Sequence, residues 1–534
     1  MRVTEVAIVG SGAAGMAAAL GLTRRGVRPL VLDVGYRVEA VPPVATGLYA
    51  HRDARDSYDL LVGSGPHAWR NQLANADAQM PAKLLAPAFG FVLRGAEEIG
   101  PITATGFVPT QSFAAGGLAN AWGAGLYRMN DRDLAGMPLA ARDLDPYYDE
   151  LSDEIGLCGA NDDLSPYFGS TRGLAPPLRL SRNAARLLES YTRRRDAWHR
   201  RRLYLGRPRL GVLSEAYRGR TACDYANLEF WLPGLPHVYS PLQTLEALRA
   251  RDAIDYRAGL VVETVEELRG SVRICARELS SGNGVRFEAR RVLLAAGPLN
   301  SARILLRSRN DLRTELEVLD NPAVQVPLVL PRAVGDGLER DCFGLTQLNV
   351  VYDSPDGELY QASLLETTSP ARAEFFSRFP ISARSSFRFL RDFLPAILVM
   401  QLFYPLRAGQ GGRLKLAPGG RLEVRGPSLP RPPHVLPTLL RALAGLGAFG
   451  FARLGATPAL GGSNHLAGTL PMRAAPRGAY ECDSNGALAG SERLFVVDGS
   501  LLSHVPAKNS TFTVMALAMR IADRLGARIR EANA

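Results

Sequence analysis

The chain carries seven histidines, and one of them, His465 in SNHLAGTLPM, stands 44 positions before Asn509 in PAKNSTFTVM. A neutral imidazole titrates near pH 7, so it can take a proton at hydrogen-bond distance. An asparagine amide offers both a donor and an acceptor, so it can hold the atom that loses the proton in one orientation. The pair suits proton abstraction with an orienting partner. The plainer alternative is a turn histidine satisfied by backbone carbonyls. His504 precedes Asn509 by five residues and reads as structural or as part of a rim, while His51, His67, His199, His237 and His434 have no comparable partner pattern. Five cysteines, Cys158, Cys223, Cys275, Cys342 and Cys482, are far apart and odd in number. Neither set shows metal-ligand spacing, and no metal is expected.

Such a pair needs a scaffold, and the N-terminus begins one. The apolar strand Val6 to Val9 runs into Gly10-Ser11-Gly12-Ala13-Ala14-Gly15, then the helix former MAAALGLTRRG, then a second strand, PLVLD, ending at Asp33. Gly10 permits the tight turn, Gly12 lets the backbone approach a pyrophosphate, and Gly15 lets helix and strand pack closely. The helix N-terminus presents unpaired N–H groups to phosphates, and a carboxylate at Asp33 can accept hydrogen bonds from ribose hydroxyls. This βαβ unit predicts a dinucleotide site without choosing between NAD and FAD.

Composition bounds the rest. A chain of 534 residues, 46% hydrophobic and 22% charged, can bury a large core in two or more domains. The net charge of +11 is spread along the chain, with one run at Arg193-Arg194-Arg195 continuing to Arg200-Arg201-Arg202. That run reads as a solvated helix face, with a docking surface for an anionic substrate, carrier or membrane as the alternative. No nucleic-acid module accompanies the charge. The first strand starts almost at residue 1, which together with the cysteine pattern predicts a cytoplasmic protein without a signal peptide. FLPAILVMQLFYP, Phe393 to Pro405, is too short to span a bilayer and reads as a buried strand.

Three later segments resemble the glucose-methanol-choline (GMC) family of FAD-dependent oxidoreductases. GGLANAWGAGLYRM, Gly116 to Met129, is similar to the family's glycine-rich loop along the cofactor, followed by the similar segment DLDPYY. RRVLLAAGPLNSARILLRS resembles the strand that returns to the nucleotide domain, with Asn300 or Ser301 expected to cap the next helix. GLVVETVEEL resembles the strand that meets adenine. The block from His465 to Leu525, including FVVDGSLLSHVPAKNSTFTVM, is the most specific. The chain departs from the family pattern at Leu466, Arg473 and Ser510.

The resemblance implies an α/β fold: a Rossmann-like FAD-binding domain of the GMC/p-hydroxybenzoate hydroxylase-like kind plus an α+β substrate domain with a mostly antiparallel sheet. The FAD domain is expected to be discontinuous, from 1–50, 95–150, 237–312 and 460–534. The substrate domain would take 151–236 and 313–459, and 51–94 would be an excursion near the cofactor or a lid. The implied cofactor contacts are Gly10, Gly12, Ala13, Ala14, Gly15, Asp33, Gly116, Gly117, Asn120, Ala121, Trp122, Gly123, Val262, Ala296, Gly297, Asp498, Gly499, Ser510 and Thr511. Some members carry the flavin on a histidine of the loop, but here the place falls at Ala121 or a neighbour, so non-covalent FAD is expected. Carried across, His465 is the base and Asn509 the orienting partner in oxidation of an alcohol, a sugar, glycoside or secondary-metabolite hydroxyl, to a carbonyl. The electron acceptor is oxygen or another carrier, and the positive charge tilts the substrate toward an anionic handle or carrier. A flavin lyase or isomerase, or a silent flavin-binding partner, are the competing readings. Neither nucleic acid nor membrane is an expected partner.

Overall fold

A computed structural model of the protein describes residues 3–38, 82–169, 171, 173–337, 339, 341–366, 392–428 and 432–534. His51, His67 and the expected excursion as far as residue 81 lie outside the described residues.

The N-terminal reading corresponds to a strand, Thr4–Val9, whose last four residues are buried, followed by the helix Ala13–Thr23 and the strand Leu30–Leu32. Thr4–Val9 pairs in parallel with Leu30–Leu32 on one side and with the long strand Gly284–Leu294 on the other. Asp255–Arg257 and Leu494–Val496 extend this parallel core. Leu260–Glu267 and Val272–Glu278 add an antiparallel flap, giving seven strands. Strands covered on both faces are continuous apolar runs, as VAIV and the VLL at the end of the long strand are. The first helix is wedged between this sheet and the C-terminal helix Thr511–Asn533. Gly21 permits the contact, since a Cβ there would lie 2.6 Å from the Met519 carbonyl oxygen. Arg25 then clamps Asp523 through two bonds of 2.6 and 2.9 Å.

The second sheet is antiparallel throughout. Its six strands run in the order Phe449–Gly450, Ala323–Val329, Ile397–Phe403, Leu359–Glu366, Thr346–Asp353 and Leu203–Gly206. Alternation sorts its two faces. Val326, Leu328, Leu398, Met400, Leu402, Ala362, Leu364, Leu348 and Val350 form a core with the helices Arg182–Arg193 and Val435–Leu446. The opposite face carries Gln325, Gln401, Ser363 and Asn349, aligned in one row by the strand register. FLPAILVMQLFYP contributes the strand Ile397–Phe403, as its apolar run predicts.

A third sheet of four strands joins Ile102–Thr105 to Leu422–Arg425, Gly412–Leu416 and Leu316–Val318. It thus combines residues from both of the expected domains. The apolar stretch TLLRALAGLGAFGFARL divides between a helix and a strand. The helix stops at Leu446, where Gly447 adopts φ +100°, and Phe449 then enters the second sheet. All five cysteines are free thiols, and among the described residues no helix is long and apolar enough to cross a membrane.

Candidate active site

A cavity of about 690 Å³ lies between the parallel sheet and the polar face of the antiparallel one. Its lining includes the glycine turn after the first strand, the 117–125 loop, the Gln325–Gln401–Ser363 row, and both His465 and Asn509.

At one end, the first helix begins at Ala13 with Gly12 extended and no side chain capping it. The free N–H groups of the first turn therefore belong to the cavity wall, which is an anion site by geometry and dipole. Gly12 faces open space, with no atom within 4 Å of a Cβ built there. Gly10 adopts φ +101°, and its Cβ would lie 2.6 Å from the Ala295 oxygen. Gly15 serves packing instead, since its Cβ would fall 2.0 Å from the Gly10 oxygen. Asp33 accepts hydrogen bonds from Ser11 and, at 3.0 Å, from the Tyr256 hydroxyl. Burial raises the Asp33 carboxyl to about 6, against the lowering effect of those bonds.

Of the expected contacts, Gly10, Gly12, Ala13, Ala14, Asp33, Gly117, Ala121, Trp122, Gly123, Val262, Ala296, Gly297, Asp498, Gly499 and Thr511 line the cavity. Gly15, Gly116, Asn120 and Ser510 stand behind its lining. Asn120 donates to the Ala115 and Gly117 carbonyls, both at 2.8 Å, and accepts from Ser240, so it shapes the loop. The expected cap of the helix Pro298–Ser308 is corrected. Asn300 and Ser301 lie inside that helix, and Asp498 reaches across to accept from the Gly297 N–H at 2.9 Å and the Ser301 hydroxyl at 2.5 Å. A carboxylate from the C-terminal block thus ties down the start of this helix, which no side chain caps.

His465 is held through its backbone. Asp320, fully buried, accepts from the N–H groups of Gly461, Ser463 and His465 at 2.8, 3.2 and 2.7 Å, and from the Ser463 hydroxyl at 2.5 Å. Asn464 takes φ +63° to turn the chain, and the Phe403 ring lies 5.6 Å from the imidazole. The His465 ring is free to act, because its Nδ1 and the side-chain oxygen of Asn509 have no hydrogen-bond partner in the protein. Burial pushes the imidazole down to about 4, so it is neutral near pH 7. Beside Asn509, Lys508 is buried and pairs with Asp133, donating also to the Tyr167 carbonyl at 2.5 Å. His504 donates from Nε2 to the Asp133 carbonyl outside the cavity lining, a structural position.

Sequence reasoning missed Asp320, Lys83 and the amides of the sheet. Lys83 is buried at the cavity wall and donates to the carbonyls of Trp122 and Glu229 at 2.8 and 2.7 Å. Burial lowers its ammonium to about 7. Gln325 and Gln401 had a signal, each being a lone amide within an apolar strand. Asp320 had none.

The family model described as GMC oxidoreductase matches residues 453–518, a stretch containing both His465 and Asn509. Among solved structures, the crystal structure of pyridoxine 4-oxidase from Mesorbium loti superposes with a TM-score of 0.58. The superposition covers 98% of this chain and 99% of that one at 15% identity, which is a likeness of fold. No curated protein sequence is a significant match. The C-terminal segment thus matches the GMC oxidoreductase family model, and the chain as a whole shares the fold of the pyridoxine 4-oxidase structure. Members of that family generally bind FAD.

Proposed function

We propose that this protein is an FAD-dependent oxidoreductase that converts an alcohol to a carbonyl, with His465 as base and Asn509 as orienting partner. The observation that carries the reading is that two orphaned polar groups, His465 Nδ1 and the Asn509 oxygen, share one cavity with an uncapped helix start and an empty Gly12 cradle. That donor set and the space above Gly12 fit a dinucleotide pyrophosphate. The contacts named from the sequence would hold the cofactor without a covalent link, since the loop position implied for attachment is Ala121 or a neighbour, and no histidine stands in Gly116 to Met129. When bound, FAD supplies the two-electron acceptor for the hydrogen leaving the carbinol carbon.

The protein's own groups do the rest. The neutral His465 ring accepts the hydroxyl proton, and the Asn509 amide fixes the oxygen so that the C–H bond keeps one direction. Phe403 and the neighbouring apolar wall exclude water from the proton's path. Gln325, Gln401 and Ser363 face the body of the substrate with neutral donors and acceptors. This row suits a neutral, hydroxyl-rich molecule such as a sugar or glycoside better than an anionic one. The basic run supplies no handle there: Arg193, Arg195 and Arg202 pair with Glu189, Asp163 and Asp353 outside the cavity. The division into a discontinuous FAD domain and a substrate domain, the cytoplasmic location and the acceptor, oxygen or another carrier, belong to the same proposal.

The test is anaerobic mixing of the yellow protein with a panel of alcohols, then readmission of oxygen. Bleaching by an alcohol supports oxidation, and a flavin left unreduced while a product forms supports the lyase or isomerase reading. His465→Ala should retain FAD and lose bleaching rate by about 10²–10⁴-fold. Near-normal bleaching in that variant removes the role from His465.

A further inference from the structure

Behind the wall that carries Phe230, the segment from residue 223 to 237 gathers Cys223, Asp224, Glu229 and His237, with one ligand atom of each lying within 4.8 Å of the others. Cys223, Glu229 and His237 are buried and Asp224 is exposed. The His237 side chain is only 4% exposed, yet its Nε2 has no hydrogen-bond partner. It sits 3.4 Å from Glu229 Oε1 without the alignment of a hydrogen bond, and Cys223 Sγ lies 3.6 Å from that same oxygen. With Zn–S near 2.3 Å and Zn–N or Zn–O near 2.0–2.1 Å, the edges of a tetrahedron are roughly 3.3–3.6 Å. The two separations fall at those edges.

We propose that these four residues form a structural zinc site, with Cys223 Sγ, His237 Nε2 and Glu229 Oε1 as buried ligands and Asp224 closing it from the surface. Sulfur and imidazole donors favour a borderline-soft ion over magnesium or calcium. The other oxygen of Glu229 accepts from the Gly344 N–H at 3.2 Å, which orients the carboxylate as an outer-shell partner does. A thiolate and two carboxylates exceed the charge of a dication by one. That excess favours the charged form of Lys83, which donates to the Glu229 carbonyl at 2.7 Å. The consequence reaches the cavity, because Phe230 and Gly344 both line it and Leu228, Trp231 and Leu232 pack on Leu84, Phe89 and Val92. The ion would lock this wall in place from the side away from the substrate. The site escapes sequence inspection because its four ligands fall within fifteen residues at spacings typical of no zinc motif.

The test uses the full-length flavoprotein. After loading with zinc and dialysis, the chain should retain about one equivalent of zinc, and the cobalt-substituted protein should show a thiolate-to-cobalt charge-transfer band. Cys223→Ser should abolish that band, and His237→Gln should lower zinc content at least tenfold, each with the flavin spectrum intact. Added zinc should raise the Tm of the wild-type protein and leave that of the variants unchanged. Wild-type protein that retains no zinc overturns the proposal and leaves a buried Cys223–Glu229 pair beside the His237 ring. So does zinc held equally by the variants, or a cobalt form without the thiolate band. Zinc retention and the cobalt band of the wild-type protein decide the matter without any variant having to fold.

Discussion

At the residue scale, the proposed chemistry rests on a histidine whose ring is left alone while its backbone is held. Asp320 secures the turn through three N–H groups, so the imidazole spends none of its hydrogen-bonding capacity on structure. Burial lowers the His465 pKa, so the neutral base form persists to lower pH than for a solvent-exposed histidine. The rate of substrate-driven flavin reduction should therefore stay level from neutrality through the ordinary histidine range and fall only as pH approaches about 4. Rapid-mixing reduction rates across pH would check this, and a midpoint at the ordinary value of 6.5 would refute it. His465 and Asn509 were legible in the sequence because a motif surrounds them. Asp320 was not, since one aspartate in EVLDNPAV has nothing to mark it until the chain folds 145 residues back to it.

Elements decide what the glycines and amides do. Gly12 and Gly15 belong to one fingerprint yet predict opposite phenotypes. Gly12→Ala adds a methyl to open cavity space, so stability should hold while FAD affinity drops, read by flavin retention on dialysis. Gly15→Ala drives a methyl into the Gly10 carbonyl, so it should lower the urea midpoint of the chain by about 1–3 kcal/mol in stability. The antiparallel sheet offers a second comparison. Gln401→Leu removes a neutral hydrogen-bonding group from the row Gln325–Gln401–Ser363 without touching His465. Steady-state kinetics should show KM rising by about tenfold, the worth of one or two hydrogen bonds, with kcat falling less. An unchanged KM would take this row out of substrate recognition. Strand alternation made the apolar face of that sheet predictable, but which strands neighbour one another is set by pairing, and only pairing aligns the amides.

The whole molecule is held together by contacts between distant segments, several of them around the turn before the C-terminal helix. Lys508, one residue before Asn509, is buried against Asp133 and the Tyr167 carbonyl, joining three separate stretches of chain. Lys508→Met would strand the Asp133 carboxylate in a dry site and should cost about 3–5 kcal/mol, measurable by denaturant unfolding. Asn509 would lose its footing with it, so residual activity should fall further than the folded fraction.

The sequence by itself determined the βαβ unit, the dinucleotide fingerprint, and the C-terminal motif that joins His465 to Asn509, because each is written in local spacing and residue type. Only the tertiary structure decided that Asp498, not Asn300 or Ser301, ties down the start of the Pro298–Ser308 helix, that Asp320 frees the His465 ring, and that the amides of Gln325 and Gln401 line the cavity. Those facts depend on contacts across 145 to 201 residues of chain. Local propensity carries no information about them, since a buried carboxylate or amide finds its partners only after the sheets have closed on one another.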